Sequence, residues 1–316
     1  MSAIVLLYHR VTHLQTDPQL LAVTPEHFAA QMAALRQIAK PVRLSQVFRE
    51  DGVAVTFDDG YADNLHEAAP LLEQFAVPAT VFATTGHTDT SNEFFWDELD
   101  RLFLQSNRLP EKLELGDRVF DLKDCFRYTP AQWEQYRQWN VLQPAMDRSR
   151  QAIYLEVCKL LHVSTADQRA AYLSQLRKWS NLQETGRESH RMMTSAELRK
   201  LADSAMVEIG AHTVNHPLLA AESPQRQREE IELSKTSLEK ILGKPVHSFS
   251  YPFGTRRDYN SMTIDAVRSA GLEIACSNFE AIITAETDRL QIPRFIVRDW
   301  DGPEFTRRLC NWLGRH

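Results

Sequence analysis

The sequence predicts an α/β protein with a parallel β-sheet. Short apolar runs such as Ile4–Tyr8, Val53–Val55 and Pro78–Ala83 alternate with segments whose apolar residues recur at helical spacing. Strands that alternate with helices in this way pair as a parallel sheet. The chain has 316 residues, of which 43% are hydrophobic and 25% are charged. That length and composition indicate a soluble globular protein with one large domain or two small ones.

The first predicted strand, Ile4–Tyr8, ends in the polar cluster His9, Arg10 and Val11. Polar groups at the carboxyl ends of the strands of a parallel barrel often belong to active sites. A histidine at the end of a strand is equally compatible with a structural role. The pattern alone therefore leaves both interpretations of His9 open.

Helices and strands follow in turn along the next part of the chain. Thr24 is a candidate N-cap and Pro25 suits a first helical turn, so we expect a helix to begin there. A short helix near Leu44–Phe48 is expected before the strand Val53–Val55. Another helix, from Asn64 to Phe75, is expected after it.

Two adjacent carboxylates follow the strand Val53–Val55, within the segment Thr56–Tyr61 (TFDDGY). Neighbouring side chains of a strand point to opposite faces, so Asp58 and Asp59 can serve one site only where the strand breaks into a turn. Gly60 permits that break. By itself an Asp-Asp-Gly triplet also makes ordinary turns. Its significance depends on a second polar stretch far along the chain.

That second stretch follows the predicted strand Val207–Gly210 and places His212 and His216 four residues apart. A lone pair of histidines at this spacing also occurs on surfaces that bind no metal. Two imidazoles and a carboxylate together suit zinc or a similar divalent ion, with a fourth position open for water or substrate. Combined with the acid pair, the two histidines predict a metal site.

Later elements are less distinctive. Thr194 is predicted to cap a helix that precedes the strand Val207–Gly210. The helix predicted from Pro224 to Leu242 is rich in charged residues, and we expect it to be solvated.

Charge, cysteines and the N-terminal run exclude several classes of protein. The net charge of -6 argues against nucleic acid or an anionic membrane as the main partner. The N-terminal apolar run, Ala3–Tyr8, is too short to span a membrane and lacks a basic lead and a cleavage site, so we expect a cytoplasmic protein. The cysteines show no C-x-x-C spacing, so we expect them to be reduced. They are Cys125, Cys158, Cys276 and Cys310.

The two polar stretches resemble motifs of the polysaccharide deacetylases with a NodB homology domain, also called carbohydrate esterase family 4. The segment TFDDG resembles the first motif of that family, and His212–Pro217 (HTVNHP) resembles the second. The resemblance covers roughly residues 3–87 and 194–297. It implies that Asp58 is the catalytic base and that one divalent metal ion, with zinc expected, is bound. The implied metal ligands are Asp59, His212 and His216.

Members of this family have a distorted parallel (β/α) barrel of about seven strands, so the resemblance implies that fold for residues 1–88 and 192–316. Some relatives begin with a Tyr-His-x-Val stretch that supplies the catalytic acid, which residues 8–11 (YHRV) resemble. His9 is therefore the implied acid. Residues 307–316 offer no comparable strand ending in histidine.

The third motif of the family, Arg-x-Pro-Tyr or Arg-x-Pro-Phe, resembles residues 250–254 (SYPFG), with Ser250 where the arginine would be. Arg294 is the candidate replacement that orients Asp58, although a purely structural arginine fits the sequence equally well. Backbone N–H groups near Phe253 could stabilise an oxyanion. The residues expected to contact substrate are Tyr61, Pro252 and Phe253.

Residues 89–191 have no counterpart in the motifs, and apolar spacing there predicts a mainly helical insertion. Long insertions at the loop end of a barrel often shape substrate pockets, so we expect a lid or a substrate wall. Its tryptophans fit either a small helical core or a surface that stacks on sugar rings. They are Trp96, Trp133, Trp139 and Trp179.

The function implied by the resemblance is metal-dependent removal of an N-acyl group, acetyl or formyl, from an amino sugar. The sugar could be an oligosaccharide, a polysaccharide or a nucleotide-linked sugar in a surface glycan pathway. Two other classes stay open: a barrel metal hydrolase acting on a non-sugar amide or imide, and a non-catalytic sugar-binding relative. Retention of both a base and a complete set of metal ligands argues against the non-catalytic class.

Overall fold

The computed structural model describes residues 3–181 and 185–315. It divides into two compact units. The first consists of Met1–His13, Leu21–Thr90 and Met192–His316, and the second consists of Leu14–Leu20 and Ser91–Arg191. His316, which the sequence left as a terminal residue without a strand, lies outside the described residues.

Seven parallel strands form the main sheet of the first unit. In chain order the strands are β1 (Ala3–Tyr8), β2 (Gly52–Phe57), β3 (Ala79–Ala83), β4 (Val207–Ala211), β5 (Ser248–Ser250), β6 (Ile274–Cys276) and β7 (Phe295–Ile296). Neighbouring strands of the sheet follow the order β6-β5-β4-β3-β2-β1-β7.

The sheet curls so that its two edges approach each other. Ile292, just before β7, pairs in parallel with Cys276 of β6. The Ile292 N–H donates to Ala275 and the Ser277 N–H donates to Ile292, both at 2.8 Å. The expected distorted parallel barrel of seven strands is thereby confirmed.

Burial explains why the first strands are continuous apolar runs. Every residue of β1, β2 and β3 is buried, as expected for parallel strands covered on both faces. The carboxyl ends of the strands are therefore the places where polar side chains can gather. A second, two-stranded parallel pairing joins Arg10–Val11 to Ala22–Val23 directly after β1.

Ten α-helices lie within the described ranges, and α3 to α6 belong to the second unit. They are α1 (Pro25–Ile38), α2 (Ala69–Gln74), α3 (Phe95–Leu99), α4 (Pro130–Tyr136), α5 (Arg150–His162), α6 (Ala166–Ser180), α7 (Ser195–Ala202), α8 (Pro224–Leu242), α9 (Ser261–Ser269) and α10 (Gly302–Trp312).

Three local expectations need correction. The helix expected from Asn64 to Phe75 begins as a π-helical turn, Asn64–Ala68, which continues into α2. The short helix expected near residue 44 is a single 3₁₀ turn, Leu44–Gln46. Helix α8 is exposed to solvent on only part of its surface, because one face, which includes Glu230 and Leu238, is buried.

The second unit is mainly helical, but it also contains a β-hairpin that the sequence did not reveal. Lys112–Leu115 pairs antiparallel with Arg118–Asp121. Trp96 and Trp139 are buried, as a core role requires, whereas Trp133 and Trp179 are partly exposed. A role of this unit as a lid or substrate wall stays a prediction.

No helix among the described residues has the length and hydropathy needed to cross a membrane. The four cysteines are free thiols. A cytoplasmic location stays a prediction from the sequence.

Candidate metal and catalytic site

The acid pair lies where β2 ends, and the backbone turns sharply there. Strand β2 stops at Phe57, and the next residues include Asp59 with φ +75° and Gly60 with φ +82°. The left-handed conformation is unusual for a residue with a side chain and costs on the order of 1–3 kcal/mol. It breaks the alternation of the strand, so both carboxylates can serve one site, as the sequence predicts.

The two histidines lie in the turn that follows β4. Thr213 and His216 both have positive φ, 63° and 50°. The Thr213 hydroxyl donates to the His212 carbonyl at 2.6 Å and accepts the His216 N–H at 3.0 Å. These bonds fold the turn so that both imidazoles face Asp59.

A buried carboxylate on helix α8 fixes the middle of this turn. Glu230, 2% exposed, accepts the N–H groups of Val214 and Asn215 at 2.9 and 2.8 Å, and the Asn215 side-chain amide at 2.7 Å. No motif points to Glu230, because it lies in a helix crowded with charged residues. Hydrogen bonds to an ionised acceptor are among the strongest in proteins, so this turn is well anchored.

Asp59, His212 and His216 form a buried cluster suited to a metal ion. Their candidate ligand atoms all lie within 4.8 Å of one another. Nε2 of each histidine is 3.5 Å from Oδ1 of Asp59. Ligands about 2.0–2.1 Å from a tetrahedral zinc ion lie about 3.3 Å apart, so the spacing fits such an ion.

Two further observations support a cation at this cluster. Oδ2 of Asp59 is buried and has no hydrogen-bond partner among the residues that the structure describes. An unsatisfied buried carboxylate oxygen is costly unless a cation or donor meets it. Nδ1 of His212 lies 2.7 Å from the Ser250 carbonyl, which can only accept, so Nδ1 carries the proton and Nε2 faces Asp59.

The pKa of His212 reflects the same surroundings. Burial lowers it, but the carboxylates of Asp58 and Asp59 raise it by more, so the pKa of this imidazole lies above its ordinary value. In the protein without metal, a proton therefore competes with a metal ion for His212.

Asp58 makes a buried, bidentate ion pair with Arg294. Nη1 and Nη2 of Arg294 donate to Oδ1 and Oδ2 of Asp58 at 2.8 and 2.7 Å. The Ser250 hydroxyl donates to Oδ2 of Asp58 at 3.0 Å and accepts from Nη2 of Arg294 at 2.9 Å. Nε of Arg294 donates to the Ser277 carbonyl at 2.8 Å. This network fixes the orientation of the Asp58 carboxylate.

The ion pair also decides the ionisation of both partners. Burial raises the pKa of Asp58, but the Arg294 guanidinium, with His212 and His9, outweighs burial and lowers the pKa to about 2. Burial lowers the pKa of Arg294, and the Asp58 carboxylate more than offsets this, so its pKa lies above the ordinary value. Asp58 is therefore an ionised proton acceptor throughout the neutral range.

His9 follows β1 and lies within the electrostatic reach of the acid pair. Its side chain is partly exposed. Burial lowers the pKa of His9 and remains the dominant influence, although the Asp59 and Asp58 carboxylates raise it. The predicted base and metal ligands lie together at the carboxyl ends of β2 and β4, and His9 follows the neighbouring strand β1.

The three residues expected to contact substrate differ in exposure. The side chain of Tyr61 is fully buried, and the Arg10 guanidinium lies 4.3 Å from its ring centroid. Pro252 is also buried, whereas Phe253 is partly exposed. The Phe253 ring packs edge-on against His216, with centroids 4.6 Å apart. Substrate contact by any of the three stays a prediction, and for the Tyr61 ring it would require exposure.

Comparison with protein families identifies the family of this chain. A family model described as polysaccharide deacetylase matches residues 45–113 and 178–275, more than half of the chain. The matched segments contain the acid pair and both histidines. His9 and Arg294 lie outside them.

One curated relative is YxkH of Bacillus subtilis, a proposed polysaccharide deacetylase. It is 32% identical over 88 residues, which cover 25% of this chain and 30% of that protein. The match thus spans about 30% of the length of that relative.

Solved structures resemble the whole chain. The deacetylase PplD of Streptococcus pyogenes, solved in complex with acetate, has a TM-score of 0.60 at 17% identity, covering 98% of this chain and 97% of that one. IcaB from Ammonifex degensii has a TM-score of 0.57 at 17% identity, covering 99% and 97%. At these identities the similarity concerns the fold.

Proposed function

Because this chain belongs to the polysaccharide deacetylase family, we propose that it is a metal-dependent hydrolase that removes an N-acyl group from an amino sugar. The acyl group is acetyl or formyl, and the sugar belongs to a surface polysaccharide or another glycan. The observation that carries this proposal is the buried cluster of Asp59, His212 and His216 beside the ionised Asp58. A sugar-binding protein would have no need of a base next to a metal site.

Asp59, His212 and His216 would hold one divalent ion, and zinc suits two imidazoles and a carboxylate. Such an ion, when bound, polarises an acyl carbonyl and lowers the pKa of a water molecule toward neutrality. The proton on Nδ1 of His212 is held by the Ser250 carbonyl, which keeps Nε2 available as a ligand.

Asp58 accepts the proton of the attacking water in this proposal. Its carboxylate is ionised because Arg294 holds its pKa at about 2. The two hydrogen bonds from Arg294 and the one from Ser250 keep the carboxylate in a single orientation. Positioned general bases typically contribute on the order of 10²- to 10⁴-fold to the rate.

His9 donates a proton to the departing amine. An amine anion is a poor leaving group, so breaking an amide requires a proton at nitrogen, whereas an activated ester does not. The pKa of His9 lies below its ordinary value. The acid function should therefore be lost as the pH rises through that lowered pKa, which favours activity on the acidic side of neutrality.

Phe253 completes the proposed site at the end of β5. Its backbone has φ +60°, and the following Gly254 has φ +71°. The Asn278 side-chain amide donates to the Phe253 carbonyl at 3.0 Å and holds this turn in place. The Gly254 N–H already donates to the Pro252 carbonyl at 2.6 Å, so the N–H of Phe253 is the group in this turn that would stabilise the developing oxyanion. In known enzymes the loss of one such donor costs about 3–4 kcal/mol.

A substrate panel tests the proposal. The purified protein would be stripped of metal, reloaded with Zn²⁺, and assayed for release of acetate or formate from N-acetylated and N-formylated amino sugars. The panel includes free, oligomeric and nucleotide-linked sugars. We expect release that disappears on metal removal and returns on reloading.

Two outcomes of this substrate panel would contradict the proposed function. Hydrolysis confined to non-sugar amides or imides would identify a different metal hydrolase on the same fold. Sugar binding without release of acid at any metal loading would identify a non-catalytic protein.

A further inference from the structure

The backbone on both sides of His9 is held by the segment that follows the acid pair. The Asn64 side-chain amide donates to the His9 carbonyl at 2.9 Å. Oδ1 of Asp63 accepts the Val11 N–H at 3.1 Å, and Oδ2 accepts from Nε of Arg10 at 2.9 Å. Both Asn64 and Arg10 are 1% exposed. These bonds fix the chain immediately after the His9 side chain.

The preceding residue is held by the same segment. The Asp58 N–H donates to the Tyr8 carbonyl at 3.0 Å. Residues 8–11 are therefore tied at both ends to residues 58–64. The strand end that carries the candidate acid and the turn that carries the candidate base form one hydrogen-bonded assembly.

Asn64 is an unusual residue for its position. Its Oδ1 is buried and has no hydrogen-bond partner within the described residues. An unsatisfied buried polar atom is destabilising, so this amide oxygen has a cost in stability. The amide donor toward His9 offers a reason to retain it.

The backbone at Asn64 is also irregular. A π-helical turn begins at this residue and runs to Ala68. Such turns are rare and are found frequently at functional sites. The Asn64 N–H donates to the Tyr61 carbonyl at 3.0 Å, which connects the π turn to the acid-pair turn.

From these contacts we propose, building on the proposed function, that Asn64 is a positioning residue for His9. Its amide fixes the His9 backbone, and Asp63 fixes the next two residues, so that the imidazole is directed toward the amine of the substrate. The direction of the His9 imidazole depends on the backbone that carries it, and these bonds hold that backbone. Misplacement of a catalytic group by about 1 Å can cost on the order of 100-fold.

Comparison of an amide with an activated ester tests the inference. In the zinc-loaded protein, Asn64→Ala should lower kcat/KM on an N-acetylated amino sugar by on the order of 10- to 100-fold. Hydrolysis of an activated acetyl ester should change little, because its leaving group needs no proton. In a His9→Ala background, Asn64→Ala should cause no further loss on the amide.

Asn260→Ala is the matched control. Asn260 caps helix α9, and its Oδ1 accepts the Thr263 N–H at 3.1 Å. Loss of a cap destabilises a helix. This variant should be less stable but should keep the native ratio of amide to ester activity.

Equal losses on amide and ester, or losses that multiply with those of His9→Ala, would overturn the inference. If Asn64→Ala does not fold, Asn64→Leu keeps a similar volume without the donor and adds no charge, and the same amide-selective loss is expected. If His9→Ala itself affects both substrates equally, the assignment of His9 as the acid fails.

An NMR measurement distinguishes failure of the positioning role of Asn64 from failure of His9 as the catalytic acid. In metal-free protein labelled with ¹⁵N-histidine, the His9 signals, assigned by their loss in His9→Ala, should shift in Asn64→Ala and stay unchanged in Asn260→Ala. Unchanged His9 signals in Asn64→Ala would overturn the positioning role, whatever the activity shows.

Discussion

Replacement of Arg294 by methionine should leave Asp58 as a buried carboxylate without its cation. The guanidinium is fully buried and makes two hydrogen bonds to that carboxylate, at 2.8 and 2.7 Å. Removing one partner of a buried ion pair typically costs about 3–5 kcal/mol. The Ser250 hydroxyl still donates to Asp58 in the variant. We therefore expect a loss near the lower end of that range at neutral pH.

The sign of the pH dependence follows from the pKa of Asp58. In the native protein the pKa is lowered from 3.8 to about 2. The ionised carboxylate therefore stabilises the fold fully above about pH 4, by about 2 kcal/mol, and this contribution is lost as the pH falls toward 2. Without Arg294, burial dominates and raises the pKa above 3.8, so protonation of Asp58 relieves part of the penalty in acid. The gap in unfolding free energy between native protein and variant should narrow as the pH is lowered.

Urea unfolding of the metal-free protein across the acidic to neutral range would measure that gap. Two control variants sharpen the result. Arg294→Lys keeps a positive charge but not the two-pronged geometry, so its loss should be smaller and nearly independent of pH. Asp58→Asn combined with Arg294→Met removes the buried charge and should recover part of the stability.

A penalty for Arg294→Met that does not change with pH would refute the idea that Arg294 controls the ionisation of Asp58. A double variant less stable than Arg294→Met alone would refute it as well.

Three other predictions concern the remaining groups of the site. Asp58→Asn should keep its fold and metal but lose on the order of 10²- to 10⁴-fold in turnover, measured with metal content on the same sample; near-native turnover would exclude Asp58 as the base. His212→Ala should lose stoichiometric metal. The native protein should bind Zn²⁺ more weakly as the pH falls below the raised pKa of His212, because the metal must then displace a proton from this imidazole. Calorimetry across pH would detect this, and an affinity independent of pH would contradict it. His9→Ala should bind metal normally and lose amide hydrolysis more than ester hydrolysis. It should also lack the alkaline decline in kcat/KM that we expect of the native protein as His9 deprotonates; a decline that persists in the variant would assign it to another group.

The strands were predictable where they are both buried and long enough to form an apolar run. Strands β1 to β4 have five or six residues each and are almost entirely buried, so they read as apolar runs. Strands β5, β6 and β7 have only three, three and two residues. Elements this short have no periodic pattern, and β6 was not recognised from the sequence at all.

The site residues that could be predicted are those that lie close together in the sequence. The Asp-Asp-Gly turn and the histidine pair are each contained within a few residues. Glu230 was missed because its burial depends on how α8 packs. Its stripe with Ser234 and Leu238, at four-residue spacing, is the signal that could have indicated a buried face. The sequence pattern indicates only that a helix starts at Asn64, and it does not predict the contact with His9.

Arg294 and Ser250 illustrate why motif position is a weak guide to an electrostatic role. The resemblance places an arginine at position 250, where this chain has a serine, so motif comparison alone would suggest that the base has lost its partner. In the structure the guanidinium reaches Asp58 from the residue just before β7, 236 residues along the chain. The small Ser250 side chain leaves room for it and bridges the pair with its hydroxyl.

The two positions are therefore coupled. An arginine at position 250 would bring a second guanidinium into a space that is fully packed and already holds one matched charge. Two buried cations beside a single carboxylate would repel each other, and one would lack a counter-ion. A base of this kind needs one cation in contact with its carboxylate, and the fold can supply it from any strand end that reaches the same point. In this chain the residue before β7 supplies that cation, so the serine at position 250 does not deprive Asp58 of its partner.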